Sequence, residues 1–76
     1  MKILLTRTVN ERKRYYEIEL IANLFGEFLL IRTYGACVRA KPTGVIHEIY
    51  QDQAKAQHAL EVLLEHKYTR GYELRS

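Results

Sequence analysis

The residues with the clearest chemical potential lie between positions 32 and 41. Arg32, Tyr34 and Gly35 are followed after a short interval by Arg39 and Lys41. A tyrosine at a strand end can present its flat ring to a sugar or a base, a glycine beside it lets another backbone approach, and cations can neutralise phosphates. In the alternative interpretation, Tyr34 packs into the core, Gly35 forms a turn and the loop cations are solvated. The residue types alone leave both interpretations open.

The chain contains few groups that could form a metal or catalytic site. Cys37 is the single cysteine, and His58, Glu61 and Glu65 lie three and four residues apart on a predicted helix. No CxxC, HExxH or close histidine pair accompanies them, so solvated positions on a helix face are the favoured interpretation. A Cys–His pair would also need a pocket, an oxyanion hole and an orienting group, for which so short a chain leaves few residues. We therefore expect no enzyme activity, no metal and no cofactor.

Length and composition indicate one folded domain over residues 1–76. Hydrophobic residues make up 47% of the chain and charged residues 28%, the balance of a globular domain and not of a disordered segment. With one cysteine, no disulfide can form within the chain, which predicts a reducing, cytoplasmic location. The N-terminal apolar run of three residues is too short for a signal-peptide core or a membrane span, so we expect no membrane association.

Positive charge is concentrated around the stretch that contains Tyr34. The chain has a formal net charge of +3 and a sequence pI of about 9.2. Residues 28–47 contain three cations and no acid, whereas residues 48–66 contain four acids and one lysine. A basic domain can bind a polyanion, although many basic domains bind none. Charge by itself therefore permits a nucleic-acid partner without requiring one.

Alternating apolar residues predict a β-hairpin. Two stretches rich in Tyr, Ile, Leu and Phe are separated by "ANLFG", whose asparagine and glycine tolerate turn geometry. In the first arm Tyr16, Ile18 and Leu20 share one face, with the period of two that is typical of a half-buried strand. Both faces of the second arm, residues 28–34, are partly apolar. We therefore expect the second arm to be the more central strand.

Further strands are predicted on either side of this hairpin. "ILLTRTV" precedes it across the polar turn "NERKR". "GVIHEIY" follows it, and its β-branched residues, together with a helix start at Asp52, favour a strand over an early turn of helix. The closing "GYEL" either adds a short strand or has no regular secondary structure.

The most regular element is a helix over residues 53–68, "QAKAQHALEVLLEHKY", which consists mainly of strong helix formers. Its apolar stripe, with spacings of three and four, consists of Ala56, Ala59, Leu60, Leu63, Leu64 and Tyr68. Asp52 is the predicted N-cap and Gly71 the predicted C-terminal stop. The predicted fold class is α+β: a small antiparallel meander of about four strands packed against one C-terminal helix.

The order of these motifs resembles the WGR domain family, named for a Trp-Gly-Arg motif. The resemblance covers nearly the whole chain, through "RYYEIEL", "LFGEFLLIRTYG", "GVIHEIY", "DQAKAQHAL" and "KYTRGYEL". Each motif is weak alone, but their order and spacing are together specific. The resemblance implies a small antiparallel sheet flanked by a helix. It also implies DNA binding at strand breaks, where the motif tryptophan stacks on a terminal sugar and basic residues contact the backbone.

This chain departs from the family motif at two of its three positions. Tyr34 replaces the tryptophan and keeps a ring that can stack, Gly35 is retained, and Ala36 replaces the arginine. The loop that follows is longer than the short turn of the family, and its Arg39 and Lys41 could restore the missing charge.

Two functional hypotheses follow from the resemblance and its departures. In the first, the protein is a non-catalytic module that binds DNA, or another nucleic acid, at an end, a nick or a single-stranded feature. Tyr34 would stack and Gly35 would allow close approach. The phosphates would be contacted by Arg32, Arg39 and Lys41, with Lys67 and Arg70 extending the basic surface. In the second, DNA binding has been lost and the domain contacts a separately encoded protein partner. A monomer is expected in either case.

Overall fold

The computed structural model describes residues 1–75 and shows five strands and one helix. The elements are β1 (Lys2–Val9), β2 (Arg12–Ala22), β3 (Phe28–Ala36), β4 (Gly44–Tyr50), α1 (Gln53–Thr69) and β5 (Glu73–Leu74). The strands form one antiparallel sheet in the order β4-β3-β2-β1-β5, and α1 packs on one of its faces. The predicted α+β class is confirmed, and "GYEL" supplies a short strand beside β1.

The middle strand of the sheet is β2, so the prediction of a more central second arm was wrong. β2 pairs with both β1 and β3, and β5 adds to the outer side of β1. In a meander of four strands β2 and β3 would be equally central, and the addition of β5 makes β2 the middle strand. The second apolar face of β3 has another origin: Leu29 and Ile31 lie on the face away from α1, where they remain partly exposed.

The β1–β2 hairpin turns more tightly than "NERKR" suggested. Only Asn10 and Glu11 form the turn, with φ angles of 51° and 66°. Positive φ at both central residues is the geometry of a two-residue turn whose twist matches that of its flanking strands. Residues 12–14 therefore belong to β2, where Arg14 lies opposite Arg7 of β1.

The core lies between α1 and one face of the sheet. Alternation along β2 directs Tyr16, Ile18 and Leu20 toward the helix, as predicted. The fully buried large side chains are those of Leu5, Ile18, Leu30 and Leu60. Burial of one such side chain contributes ~1.5–3 kcal/mol, so this layer holds the helix to the sheet.

Both predicted ends of α1 are confirmed. The Asp52 carboxylate accepts a hydrogen bond from the Ala54 N–H at 2.7 Å, which is the contact of an N-cap. At the other end Gly71 has a φ of +94°, and the N–H groups of Gly71 and Tyr72 donate to carbonyls in the last turn of the helix. This pattern is a Schellman motif, which turns the chain back on the helix. Over residues 1–75, no helix is long and apolar enough to cross a membrane.

Tyr68 was wrongly predicted to belong to the apolar stripe of α1. The other five predicted stripe residues are buried or half-buried, but Tyr68 is 46% exposed. Tyr72 is buried in the core instead. The Schellman motif at Gly71 brings Tyr72 beneath the end of the helix. Tyr72 therefore takes the core position that the helical spacing had predicted for Tyr68.

Candidate nucleic-acid interface

Three tyrosines form a cluster on the helix-covered face of the sheet. Tyr16 and Tyr34 are register partners in β2 and β3, and their rings are nearly parallel, with 5.7 Å between centroids and 9° between planes. Tyr72 meets Tyr16 edge-on, at 6.0 Å and 69°. Both arrangements are favoured by the charge distribution of aromatic rings. Because Tyr16 is buried, it holds the half-buried ring of Tyr34 in place.

Two cations lie over the rings of this cluster. The Nζ atom of Lys67 is 4.1 Å from the centroid of Tyr16 and 5.8 Å from that of Tyr72. The Cζ atom of Arg7 is 4.9 Å from the centroid of Tyr72. Cation–π contacts of this kind are each worth ~0.5–1 kcal/mol at exposed sites. Aromatic rings and positive charges are therefore joined in one surface.

Arg7 and Arg32 have unused hydrogen-bonding capacity. Arg7 Nη1 donates to the Arg70 carbonyl at 2.8 Å, at the end of α1 where the helix dipole favours a cation. Arg32 Nε lies 3.4 Å from Glu48 Oε1, an ion pair without hydrogen-bond geometry. The Nε atoms of both arginines are buried and have no hydrogen-bond partner among residues 1–75. Most buried donors in folded proteins are paired, so these two are unusual.

The cations of this cluster repel one another. Burial lowers the pKa of Lys67 below its usual value, and the charges of Arg70, Arg32 and Arg7 lower it further. A recess of about 310 Å³ opens between the rings and the cations, and none of the residues that line it is acidic. We call this surface the aromatic–basic surface; it consists of Arg7, Tyr16, Arg32, Tyr34, Lys67 and Tyr72.

Gly44 determines where the ring of Tyr34 can lie. The two residues are register partners in β3 and β4. A Cβ atom on residue 44 would be 2.5 Å from Tyr34 Oη and 2.6 Å from Cζ, so the ring occupies the space of the missing side chain. In the sequence Gly44 is only the first residue of the predicted strand "GVIHEIY", and nothing there indicates this contact.

A comparison of the sequence with protein-family profiles decides the family. The profile described as WGR domain matches residues 1–76. The chain belongs to the WGR domain family. No curated protein and no solved structure was found to match. The family is associated with nucleic-acid binding in general.

The motif glycine of this WGR domain serves the packing of its own loop. Gly35 is buried and, by strand alternation, faces the side of the sheet opposite Tyr34. A Cβ atom there would lie 2.9 Å from Thr43 N, 3.3 Å from Pro42 Cα and 3.3 Å from Tyr15 Oη. The backbone that approaches Gly35 closely therefore belongs to the domain itself. Thr43 and Pro42 thus fill the space beside Gly35 that was predicted for a ligand.

The third motif position of this WGR domain has a basic neighbour. Ala36, which stands where the motif has arginine, is the register partner of Arg14 in β2. By alternation both residues are on the face of Tyr34, and Arg14 is exposed. A guanidinium group is thus present directly across from the position at which the family motif has one.

The structure brings some of the predicted site residues together and separates others. Those within the aromatic–basic surface are Arg32, Tyr34 and Lys67, and Arg70 lies beside it, where its charge lowers the pKa of Lys67. Those outside the aromatic–basic surface are Gly35, Arg39 and Lys41, the last two being exposed in the loop of residues 37–43. Sequence reasoning missed Arg7, Tyr16 and Tyr72. Period-two alternation could have placed Tyr16 on the face of Tyr34, but the positions of the other two depend on β5 and the Schellman motif.

The histidines and Cys37 among residues 1–75 of this WGR domain belong to no cluster that could hold a metal ion. Among residues 1–75, no group of three or more His, Cys, Asp or Glu side chains is arranged to hold a metal ion. His58, Glu61 and Glu65 are exposed on α1, and Cys37 is an exposed free thiol.

Proposed function

We propose that this WGR domain is a non-catalytic nucleic-acid-binding module that binds DNA at an end, a nick or a single-stranded stretch through the aromatic–basic surface. The observation that carries this proposal is the recess lined by tyrosine rings, Arg32 and Lys67, in which Arg32 is paired with Glu48 and Lys67 takes part in no ion pair among residues 1–75. Rings can stack on bases or sugars while cations contact the neighbouring phosphates. Membership of the WGR family supports the same class of ligand.

Repulsion within the aromatic–basic surface favours an anionic ligand. The lowered pKa of Lys67 reflects burial and the nearby charges of Arg70, Arg32 and Arg7. A phosphate group placed among these cations would offset their repulsion and favour the charged form of the lysine. Phosphate contacts also release counterions from the nucleic acid, which adds to the affinity at low salt.

The position of Tyr34 supports a preference for ends and unpaired bases. In a continuous duplex each base is covered on both sides by its neighbours, so a protein ring finds a free face only where stacking is interrupted. Tyr34 lies at the last register pair of β3 and β4, beside the end of the sheet. Its ring is half-buried and backed by Tyr16, so little ordering is needed when a base or sugar stacks on it.

Fluorescence anisotropy at two salt concentrations tests this proposal. The probes are nicked, blunt-ended and single-stranded DNA, and closed circular DNA is the competitor. Tyr34→Ala is expected to weaken binding by ~1–3 kcal/mol and to remove the preference for ends. Tyr68→Ala is the matched control, because Tyr68 is an exposed tyrosine outside the aromatic–basic surface. Equal affinity of wild type and folded Tyr34→Ala would contradict the stacking role, and absence of binding at low salt would contradict the function.

A protein-interaction module is the second candidate function. It is favoured by apolar side chains that the helix does not cover: Val45 and Ile49 are exposed in β4, and Leu24 and Phe25 are exposed in the β2–β3 turn. The two functions differ in their response to salt. Each phosphate contact contributes a slope of about −0.9 to log affinity against log salt, whereas an apolar protein interface gives a nearly flat response.

A further inference from the structure

We propose that this WGR domain has a second binding site for nucleic-acid backbone phosphates, at the end of the sheet next to the aromatic–basic surface. We call it the basic tip; it consists of Arg12, Lys13, Arg14, Arg39 and Lys41. The site rests on the proposed function, because its ligand is the same nucleic-acid molecule whose end or unpaired base stacks on Tyr34. It would extend the contact from that base along the adjoining backbone.

The basic tip is assembled by two segments that the fold holds side by side. The β1–β2 hairpin supplies residues 12–14, and the loop of residues 37–43 supplies the other two cations. The Cys37 N–H donates to the Lys13 carbonyl at 3.0 Å, and the Thr43 N–H donates to the Tyr34 carbonyl at 2.8 Å. Between the hairpin and the loop is a cleft of about 560 Å³. The absence of a side chain on Gly35 allows the loop to fold back into this position.

The basic tip carries more positive charge than the chain as a whole. Its five cations and the neighbouring Glu11 give a formal charge of +4, compared with +3 for the entire chain. None of the five takes part in the ion pairs found within residues 1–75. An uncompensated cluster of like charges attracts polyanions. Three of the five are arginines, whose forked guanidinium groups match phosphate geometry.

The continuity of this charge with the aromatic–basic surface favours nucleic acid over an acidic protein segment. Arg14 lies on the face of Tyr34, opposite Arg7 in one neighbouring strand and Ala36 in the other. At ~3.3 Å per residue along a strand, Arg12 is about 13 Å from Tyr16. A nucleic-acid strand spaces its phosphates about 3.4 Å apart along the helix axis, so the distance corresponds to roughly four nucleotides. One strand can therefore contact both surfaces.

Two variants that remove the same amount of charge test the basic tip. Arg12→Gln/Arg39→Gln removes two tip cations, and Lys2→Gln/Lys55→Gln removes two exposed cations elsewhere. The probe is a labelled nicked duplex, with closed circular DNA as competitor over a salt series. In the tip variant the slope of log affinity against log salt is expected to become shallower by about 1.8, with no such change in the control. The preference for the nick should remain, because Tyr34 is untouched.

The outcomes separate this inference from the proposed function. If the tip variant behaves like the control while Tyr34→Ala still loses the preference for the nick, the basic tip is overturned and the proposed function stands. If wild type binds both DNAs equally and the tip variant binds weakly, the tip stands and recognition of ends fails. Absence of DNA binding by wild type overturns both. Displacement of DNA by polyglutamate at matched charge would identify an acidic protein segment as the ligand and overturn the assignment to nucleic acid.

Discussion

The ring of Tyr34 occupies the space that a side chain on Gly44 would fill. The two residues pair across β3 and β4, and a Cβ atom on residue 44 would approach the Tyr34 hydroxyl to 2.5 Å. On the neighbouring strand the same ring stacks on Tyr16. A glycine at one register position and an aromatic residue at the other thus fix the ring that we propose contacts DNA.

Gly44→Ala is expected to impair DNA binding more than folding. The added methyl group would meet the far end of a side chain, so the Tyr34 ring can move away at little cost to the backbone. We expect the free energy of unfolding to fall by about 0.5–1.5 kcal/mol, because the displaced ring loses its stack on Tyr16, and the preference for DNA ends to be lost. Urea unfolding and anisotropy with nicked DNA measure the two effects.

Gly35→Ala provides the contrast for that experiment. Its added methyl group would meet the backbone of Pro42 and Thr43, which cannot move without displacing the loop. We expect this variant to lose ~1–3 kcal/mol of stability, the usual cost of overpacking. Retention of the preference for DNA ends in Gly44→Ala, or its loss in Gly35→Ala alone, would contradict the role assigned to Gly44.

Lys67→Met should weaken nucleic-acid binding without destabilising the fold. The methionine side chain keeps an apolar stem over Tyr16 and removes the charge that Arg70, Arg32 and Arg7 repel. The lost cation–π contact and the relieved repulsion act in opposite directions. We therefore expect the free energy of unfolding to change by about 0.5 kcal/mol or less.

Lys55→Met is the matched control for Lys67→Met, because Lys55 is exposed on α1 and lies outside the aromatic–basic surface. It should leave the salt dependence of DNA binding intact, whereas Lys67→Met should make the slope shallower by about 0.9. Equal slopes for the two variants would exclude Lys67 from the contact.

Ionisation of the Tyr16 hydroxyl should make the protein less stable at high pH. Burial raises the pKa of its hydroxyl above the ordinary 10.0; nearby Arg32 acts in the opposite direction, but the net effect is upward. The folded protein therefore holds this proton more tightly than the unfolded chain does. The resulting stability is complete below pH 10 and is lost as the pH rises through the folded-state pKa.

Tyr16→Phe removes the titrating group and keeps the ring. We expect the fall in the free energy of unfolding between about pH 9 and pH 12 to be smaller in this variant than in wild type, as measured by urea unfolding. Tyr68→Phe serves as the control, since Tyr68 is exposed. An alkaline loss of stability that is the same in Tyr16→Phe and wild type would contradict the assignment.

Local patterns predicted the elements of this fold better than they predicted the site. Alternation along β2 and the caps at Asp52 and Gly71 depend on neighbouring residues, and these were confirmed. The aromatic–basic surface depends on residues far apart in the chain. Arg7 reaches Tyr72 only because β5 returns beside β1 and the Schellman motif turns the chain beneath the helix.

The basic tip likewise depends on residues that are far apart in the chain. The sequence showed cations at residues 12–14 and at Arg39 and Lys41, but a polar turn "NERKR" gave no reason to connect them. The connection arises from the register of β2 with β3, which places Arg14 opposite Ala36 and brings the long loop beside the hairpin. Register is a property of paired strands, and one strand alone does not reveal it.

Glu11 offers a way to separate backbone strain from charge at the basic tip. It has a φ of 66° in the two-residue β1–β2 turn, a conformation that glycine adopts freely and that costs other residues ~1–2 kcal/mol. Glu11→Gly should stabilise the fold by about 1 kcal/mol, once the greater freedom of glycine in the unfolded chain is counted. Glu11→Gln keeps the strain and should leave stability unchanged.

Both variants remove one negative charge beside the tip, so both should bind nicked DNA more tightly than wild type. Unfolding and anisotropy measurements on the pair check this: tighter binding by Glu11→Gly alone would mean that turn geometry, and not charge, governs the tip.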